Sequence, residues 1–303
     1  MKELFKAAPY VRMHKDRVIV VKAGGATIAK PALLKQLARQ IAVIHALGAR
    51  VVVVHGGGPQ IDQLQRMLGE EPRMIDGRRV TSAVALRALR LAMAGELNGD
   101  LSAALVEQGS PAIGIVAASC GALVARRRAP MKTSQGLVDF GEVGDLTTVD
   151  VSTIVTMLDA GRVPVIAPIA SDGAGAVLNI NADLAAAALA GALGASKLVL
   201  VTSAPGILRS VTDPGSLVSA LSLAELADLE AAGSFEGGMR VKAQAIRAAL
   251  DRGVVRVHVV SGLDPEALLV ELYTTHGSGT LITREPERAP EPIAAIAATT
   301  DEA

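Results

Sequence analysis

Aromatic side chains are nearly missing: the chain has no tryptophan, three phenylalanines and two tyrosines among 303 residues. It also has no surplus of either charge, with 30 Lys+Arg against 30 Asp+Glu. A neutral chain without aromatic platforms is a poor nucleic-acid binder, because phosphate contacts need clustered positive charge. Cysteine occurs once, at Cys120, so no intrachain disulfide can form, and no Cys/His cluster has zinc-like spacing. Long apolar runs are missing too. The longest, Ala182 to Leu193, is interrupted by Asp183 and Gly191 and is too short and alanine-rich to span a bilayer. The N-terminal stretch MKELFKAAPYVRMHKD is charged throughout, unlike a secretory signal. These absences read as a cytoplasmic protein with no membrane contact. Neither G-x-x-x-x-G-K-[ST] nor a G-x-G-x-x-G after a strand is found, so a phosphate site here is neither a P-loop nor a Rossmann site.

Half of the residues are apolar, enough for one large α/β unit or two lobes. Strand-like and helix-like runs alternate. Strands are expected at 17–25, 49–55, 111–117, 162–170, 197–208, 254–262 and near 278–283. Helices are expected at 31–48, 59–69, as a pair over 81–109 capped by Thr81 or Ser82, at 151–161, after Asn181, at 222–232, at 239–252 and at 264–274. Residues 120–150 read as irregular or antiparallel. The alternation predicts parallel βαβ units under helices on both faces, with ligands at the carboxyl ends of the strands. The Pro-, Ala- and Glu-rich segment 284–303 is expected to be disordered.

What the chain does have is glycine at strand ends: KAGG (22–25), HGGG (55–58), TSAPG (202–206) and GGMRVK (237–242). Glycine lets backbone N–H groups face a ligand without an intervening Cβ, and a following helix adds its partial positive charge. Such loops suit anions, phosphates above all. Lys22 ends an apolar strand and Lys242 opens a helix. A buried lysine needs a charged partner, which a phosphate would supply. Asp183, in NINAD, could orient two lysines or simply complement a helix dipole. Asn179 and Asn181 would share one face of an extended segment and offer amides to a substrate. A planar guanidinium in MIDGRRVTS could clamp a carboxylate; these residues alone do not choose between Arg78 and Arg79.

Taken in order, VVKAGG, VVVVHGGGPQI, IDGRRVTS, AGELN, GRVPVIAPI, LNINADLAA, KLVLVTSAPGIL, GGMRVK and ELYTTHGSGTLI resemble the amino acid kinase superfamily, and within it the N-acetylglutamate kinases, from about residue 4 to 283. The resemblance implies a three-layer αβα sandwich with a mainly parallel sheet. It implies an N-terminal oligomerisation helix (1–15), an N-lobe for the acylamino acid (about 16–175) and a C-lobe for ATP (about 176–283). Lys22 and Lys242 match the lysines that stabilise the transferring phosphoryl group, and Asp183 the carboxylate that organises them. Gly57, Gly58, Arg79 and Asn179 match substrate-binding positions, which selects Arg79 over Arg78. Gly24, Gly25, Thr202 and Gly206 match the nucleotide site. The resemblance further implies ATP with Mg²⁺ held mainly by the nucleotide, N-acetyl-L-glutamate as acceptor, and a homo-oligomer. N-acetyl-aminoadipate is an alternative acceptor, and a non-catalytic arginine-sensing relative an alternative role. LFKAAPYVRM (4–13), with Lys197, His258, Glu271 and Gly277, matches members inhibited by arginine.

Overall fold

A computed structural model describes residues 2–210, 213–235 and 237–286. Most of the segment expected to be disordered, from 287 onward, lies outside the described residues. At the centre is an eight-stranded sheet. From edge to edge its strands are Ala220–Ser222, Thr280–Thr283, Arg256–Ser261, Lys197–Thr202, Val18–Ala23, Arg50–His55, Val163–Ala167 and Ala112–Val116. Neighbours run parallel, except that Thr280–Thr283 is antiparallel to Arg256–Ser261.

Successive residues of a strand point to opposite faces, so each buried strand feeds two cores. Val20, Val52, Val54, Ile166, Leu198 and Leu200 pack with the helices Ala182–Ala192 and Gly238–Asp251. Ile19, Val21, Val51, Val53, Val165 and Val199 pack on the other face with Pro31–Ala46 and Asn98–Glu107. This is the expected three-layer αβα sandwich. Strands covered on both sides need no polar face, which is why RVIVV and RVVVV read as unbroken apolar runs.

Three expectations need correction. The strand read over 162–170 divides at Pro168, which has no N–H for a ladder. Val163–Ala167 belongs to the main sheet and Ile169–Ser171 to a four-stranded sheet with Val177–Asn179, Leu123–Arg127 and Gly144–Val149. The two helices over 81–109 are one helical run: Ala83–Arg90 continues through a π-helical stretch, Leu91–Leu97, into Asn98–Glu107. Ser82 caps it, its hydroxyl accepting the Ala85 N–H at 3.0 Å. The strand read over 197–208 stops at Thr202. The 120–150 segment is antiparallel as expected, pairing Leu123–Arg127 with Gly144–Val149.

Candidate active site

Three charged side chains meet at the carboxyl end of the sheet. Lys22 is the fifth residue of Val18–Ala23, paired with Val54 on one side and Leu200 on the other. Asp183 is the second residue of Ala182–Ala192. Lys242 lies in the second turn of Gly238–Asp251. Lys22 Nζ is 2.8 Å from Asp183 Oδ1, and Lys242 Nζ is 3.2 Å from Asp183 Oδ2. All three side chains are nearly buried, 10–13% exposed. Burial alone would push the Asp183 carboxyl up, but the Lys22 and Lys242 ammonium groups outweigh it and hold it far below the ordinary carboxylate range. Burial lowers the pKa of Lys242, helped by Lys22 and opposed by Asp183. Two ammonium groups share one carboxylate, so one positive charge of the trio is left over in a nearly buried place. Such a place is completed by an anion.

The glycine loops form the wall beside this cluster. A Cβ on Gly25 would stand 2.7 Å from Gly58 N, so the two loops approach backbone to backbone. Gly24 donates its N–H to Val201 O at 3.1 Å and accepts the Thr27 hydroxyl at 2.7 Å. Gly57 precedes the helix Gly58–Met67, and a side chain there would strike Leu97 at 2.6 Å. Gly58 faces open space. The first N–H groups of that helix have no partner within it, and its amino end carries a partial positive charge, a fit to phosphate oxygens.

Arg79 lies in the short hairpin Met74–Ile75/Arg78–Arg79. Its side chain is 10% exposed and pairs with Asp62 Oδ1 at 2.5 Å and Gln65 Oε1 at 3.1 Å. Arg78 instead reaches Gln244 Oε1 at 2.9 Å, on the helix that carries Lys242. The two arginines therefore face different partners, and Arg79 is the one held beside Gly58, its Nη2 lying 3.4 Å from Gly58 O. Asn179 donates to the Thr81 hydroxyl at 3.0 Å. Asn181 turns its amide oxygen to the following helix. Its Oδ1 caps the helix, accepting the N–H of Asp183 at 2.9 Å and of Leu184 at 3.1 Å, and so fixes where Asp183 stands. On the neighbouring strand end, the Thr202 hydroxyl is engaged with Ala204 O and N. Gly206 is packed where a Cβ would meet Leu217 and Thr280 at 2.6 Å. These two residues shape the loop, whose exposed tip is Ser203 and Ala204.

The sequence model of the amino acid kinase family matches residues 17–261. The chain belongs to the amino acid kinase family. It is 44% identical to an acetylglutamate kinase of Myxococcus xanthus over 290 residues, covering 94% of each chain. Among solved structures it resembles N-acetylglutamate synthase of Neisseria gonorrhoeae complexed with coenzyme A and N-acetyl-glutamate, with a TM-score of 0.82 and 30% identity. The match takes in 94% of this chain and 64% of that longer one. The same synthase complexed with coenzyme A and L-arginine gives a TM-score of 0.79 at 26% identity, covering 94% of this chain and 65% of that one.

In this amino acid kinase a second polar cluster lies away from the triad, where the helix Lys2–His14 meets Ala267–Tyr273. His258 Nδ1 donates to Glu271 Oε1 at 2.6 Å. Glu271 Oε2 accepts the N–H of Ser278 at 2.7 Å and of Gly279 at 2.9 Å. Gly277 has φ +62, and a Cβ there would stand 2.8 Å from that same oxygen. Lys197 is buried at the start of its strand, within electrostatic reach of His14 and His258. His14 Nε2 donates to Leu272 O at 2.8 Å, and its ring packs edge-on to Tyr273. Burial lowers the pKa of His258 and raises that of Tyr273 to about 12. His258 Nε2 and the Tyr273 hydroxyl are buried without a hydrogen-bond partner.

Asp62 and Gln65 are not legible in the sequence, and Thr81 is legible there only as a candidate helix cap, the place that Ser82 takes. The signal for Gln65 was faint: it shares the inward helix face with Ile61, and both are buried. Nothing in the spacing links Asp62 to Arg79, because that contact crosses from a helix to a hairpin.

Proposed function

We propose that this amino acid kinase transfers the γ-phosphoryl group of ATP to the γ-carboxylate of N-acetyl-L-glutamate, giving N-acetyl-L-glutamyl 5-phosphate in the second step of arginine biosynthesis. One observation carries the reading: a buried carboxylate, Asp183, draws Lys22 and Lys242 to one point beside two glycine loops. A glutamate γ-carboxylate is ionised at neutral pH, with a reference pKa of about 4.3, so no general base is needed. The difficulty is bringing two anions together, which calls for positioning and positive charge. Lys22, from the strand, and Lys242, from the helix Gly238–Asp251, both stabilise the transferring phosphoryl group from their places on the two oxygens of Asp183. Asp183 keeps both amines aimed and ionised. The N–H groups at Gly57 and Gly58 receive phosphoryl oxygens, and Arg79 with Asn179 holds the α-carboxylate end of the acceptor. Gly24, Gly25 and the Thr202–Gly206 loop receive the nucleotide with their backbones. MgATP supplies the phosphoryl group, with the ion offsetting charge between phosphates. Among the described residues no group of three or more His, Cys, Asp or Glu is gathered, and the ion would be held mainly by the nucleotide phosphates.

The N-lobe, about 16–175, takes the acylamino acid, and the C-lobe, about 176–283, takes ATP. The enzyme works in the cytoplasm as a homo-oligomer, a dimer or a hexamer. Assembly through the N-terminal helix is supported by Phe5 and Met13, which are 72% and 47% exposed on one face of it. Arginine is the expected inhibitor at the His258–Glu271 cluster. With Nδ1–H committed to Glu271, His258 Nε2 offers a lone pair, and a guanidinium N–H is a fitting donor to it.

The test is acyl phosphate formation with MgATP, trapped by hydroxylamine, across N-acetylglutamate, N-acetyl-aminoadipate and free glutamate, with and without arginine. N-acetylglutamate is expected to give the highest kcat/KM. One extra methylene is worth about 1–3 kcal/mol, so a preference for N-acetyl-aminoadipate would reassign the acceptor. No turnover with any of the three would favour the non-catalytic arginine-sensing role. The convergence of Lys22, Asp183 and Lys242 argues against that role, since a binding module has no use for all three.

A further inference from the structure

Three of the sequence motifs meet below the triglycine loop, at residues the mechanism above does not use. His55 ends the strand Arg50–His55 and is fully buried. Asn98, from AGELN, is 6% exposed. Val165, from GRVPVIAPI, presents its carbonyl between them. The Asn98 amide group lies 2.9 Å from Val165 O and 3.1 Å from His55 Nε2. A backbone carbonyl only accepts, so the Asn98 atom facing it is the NH₂, and the same NH₂ donates its second proton to His55 Nε2. That nitrogen is therefore the ring's lone pair, and the proton of the neutral ring sits on Nδ1. Nδ1–H donates to Gly56 O at 3.1 Å. Burial, against the pull of the Gly56 carbonyl, lowers the pKa of His55 to about 4, so the ring stays neutral and keeps one tautomer across physiological pH.

We infer that His55 and Asn98 are positioning residues that aim the Gly57 N–H at the transferring phosphoryl group. This rests on the phosphoryl-transfer reading above. No peptide bond among the described residues is cis, and in a trans peptide the N–H points away from the preceding C=O. Pinning Gly56 O toward the buried ring therefore turns the Gly57 N–H to the opposite side, where the loop opens. Two packing features hold the lever. A Cβ on Gly114 would stand 2.1 Å from Asn98 Oδ1, so glycine there leaves room for the amide. The π-helical stretch Leu91–Leu97 delivers Leu97 against Gly57 and Asn98 beneath the loop; widened turns of this kind re-aim side chains at functional sites.

The experiment separates a hydrogen-bond role from filling. An Asn side chain places its NH₂ where Nδ1 stands, whereas Gln reaches only the Nε2 position. His55→Asn is expected to retain kcat within a few-fold. His55→Gln is expected to lower kcat by about 10²-fold, the effect of losing one aimed backbone donor, with KM for both substrates little changed. If Gln performs as well as Asn, the inference is overturned, because Gln is the better match in volume. In the wild-type protein, ¹⁵N spectra of the five histidines should show the His55 ring, assigned by its loss in His55→Asn, as the neutral Nδ1–H tautomer; an Nε2–H tautomer overturns the inference without any variant having to fold. The Gly57 amide resonance should move on adding the magnesium complex of a non-hydrolysable ATP analogue, and should not move in His55→Gln. This last readout needs no turnover. A protein inactive toward every acylamino acid would defeat the proposed function and leave the His55 lever to be decided by the tautomer and the Gly57 shift.

Discussion

Arg79 and Arg78 are adjacent in sequence but do different work. Arg79 is nearly buried against Asp62 and Gln65, whereas Arg78 reaches out to Gln244. A planar fork that binds a carboxylate in two places is not replaced by an ammonium. Arg79→Lys is therefore expected to raise KM for the acylamino acid by about 10–100-fold, the worth of one charge-assisted hydrogen bond of about 1.5–3 kcal/mol. Arg78→Ala should leave that KM within a few-fold. Steady-state kinetics on both variants checks it, and equal effects would mean that the clamp is misassigned. At this scale the sequence was legible where a residue type violated its surroundings: a lysine ending an apolar strand, an aspartate opening an apolar helix. It was not legible where two residues were alike or where a contact crossed the fold. Asn181 could have been found, because an Asn just ahead of a helical run is a cap signature. The Asp183–Lys242 contact joins positions 59 residues apart, so spacing alone does not show it; the family resemblance does.

The loops meet as elements through their backbones. With 2.7 Å between a Cβ at Gly25 and Gly58 N, Gly25→Ala must push the turn Gly25–Thr27 off the amino end of Gly58–Met67. Turnover is expected to fall by at least about tenfold, while the melting temperature drops only by the few degrees that a local overpacking of about 1–3 kcal/mol produces. Ser222→Ala is the converse control. Ser222 and Glu225 form a capping box on the helix Leu223–Ala231, far in role from the loops. Its loss should cost about 1 kcal/mol in urea unfolding and leave kcat unchanged. A drop in kcat for Ser222→Ala, or full activity in Gly25→Ala, would contradict this division. Element type was readable from periodicity, and the errors have specific causes. A proline at 168 hands the chain from one sheet to another without breaking its apolar pattern. The stretch Leu91–Leu97 widens the helix by a residue per turn, which a search for 3.6-residue spacing reads as a boundary.

For the molecule as a whole, buried neutral histidines set the acid side of stability. Burial, partly offset by hydrogen bonds to backbone carbonyls, lowers the pKa of His14 and of His55 to about 4, and burial also lowers that of His258. Unfolded histidines take up protons near pH 6.5. Between about 6.5 and 4 the unfolded state therefore binds more protons than the native one, so stability falls as pH drops through that window. For fully buried His55 the effect is on the order of 3 kcal/mol at its limit. The urea midpoint should fall between pH 7.5 and 5, and His14→Gln should flatten the slope by up to one proton; a midpoint independent of pH would contradict it. Asp183 adds to the fall only below about pH 5, where the unfolded carboxyl takes up protons while the depressed native one stays ionised. The αβα layering was legible because doubly covered strands announce themselves as runs of valine and isoleucine. The cluster of Lys197, His258 and Glu271 was legible only through the family resemblance, and the part His14 takes in it was not, since the cluster is assembled from both ends of the chain.

The most direct test of the shared carboxylate is kcat for acyl phosphate formation by Asp183→Asn, which keeps the side chain's shape and removes its charge. With both lysines buried and no longer drawn to one point, kcat should fall by at least about 10²-fold, with far-ultraviolet circular dichroism unchanged and KM moved much less. A folded Asp183→Asn protein that turns over at the wild-type rate would contradict the view that this carboxylate aims Lys22 and Lys242 at the phosphoryl group.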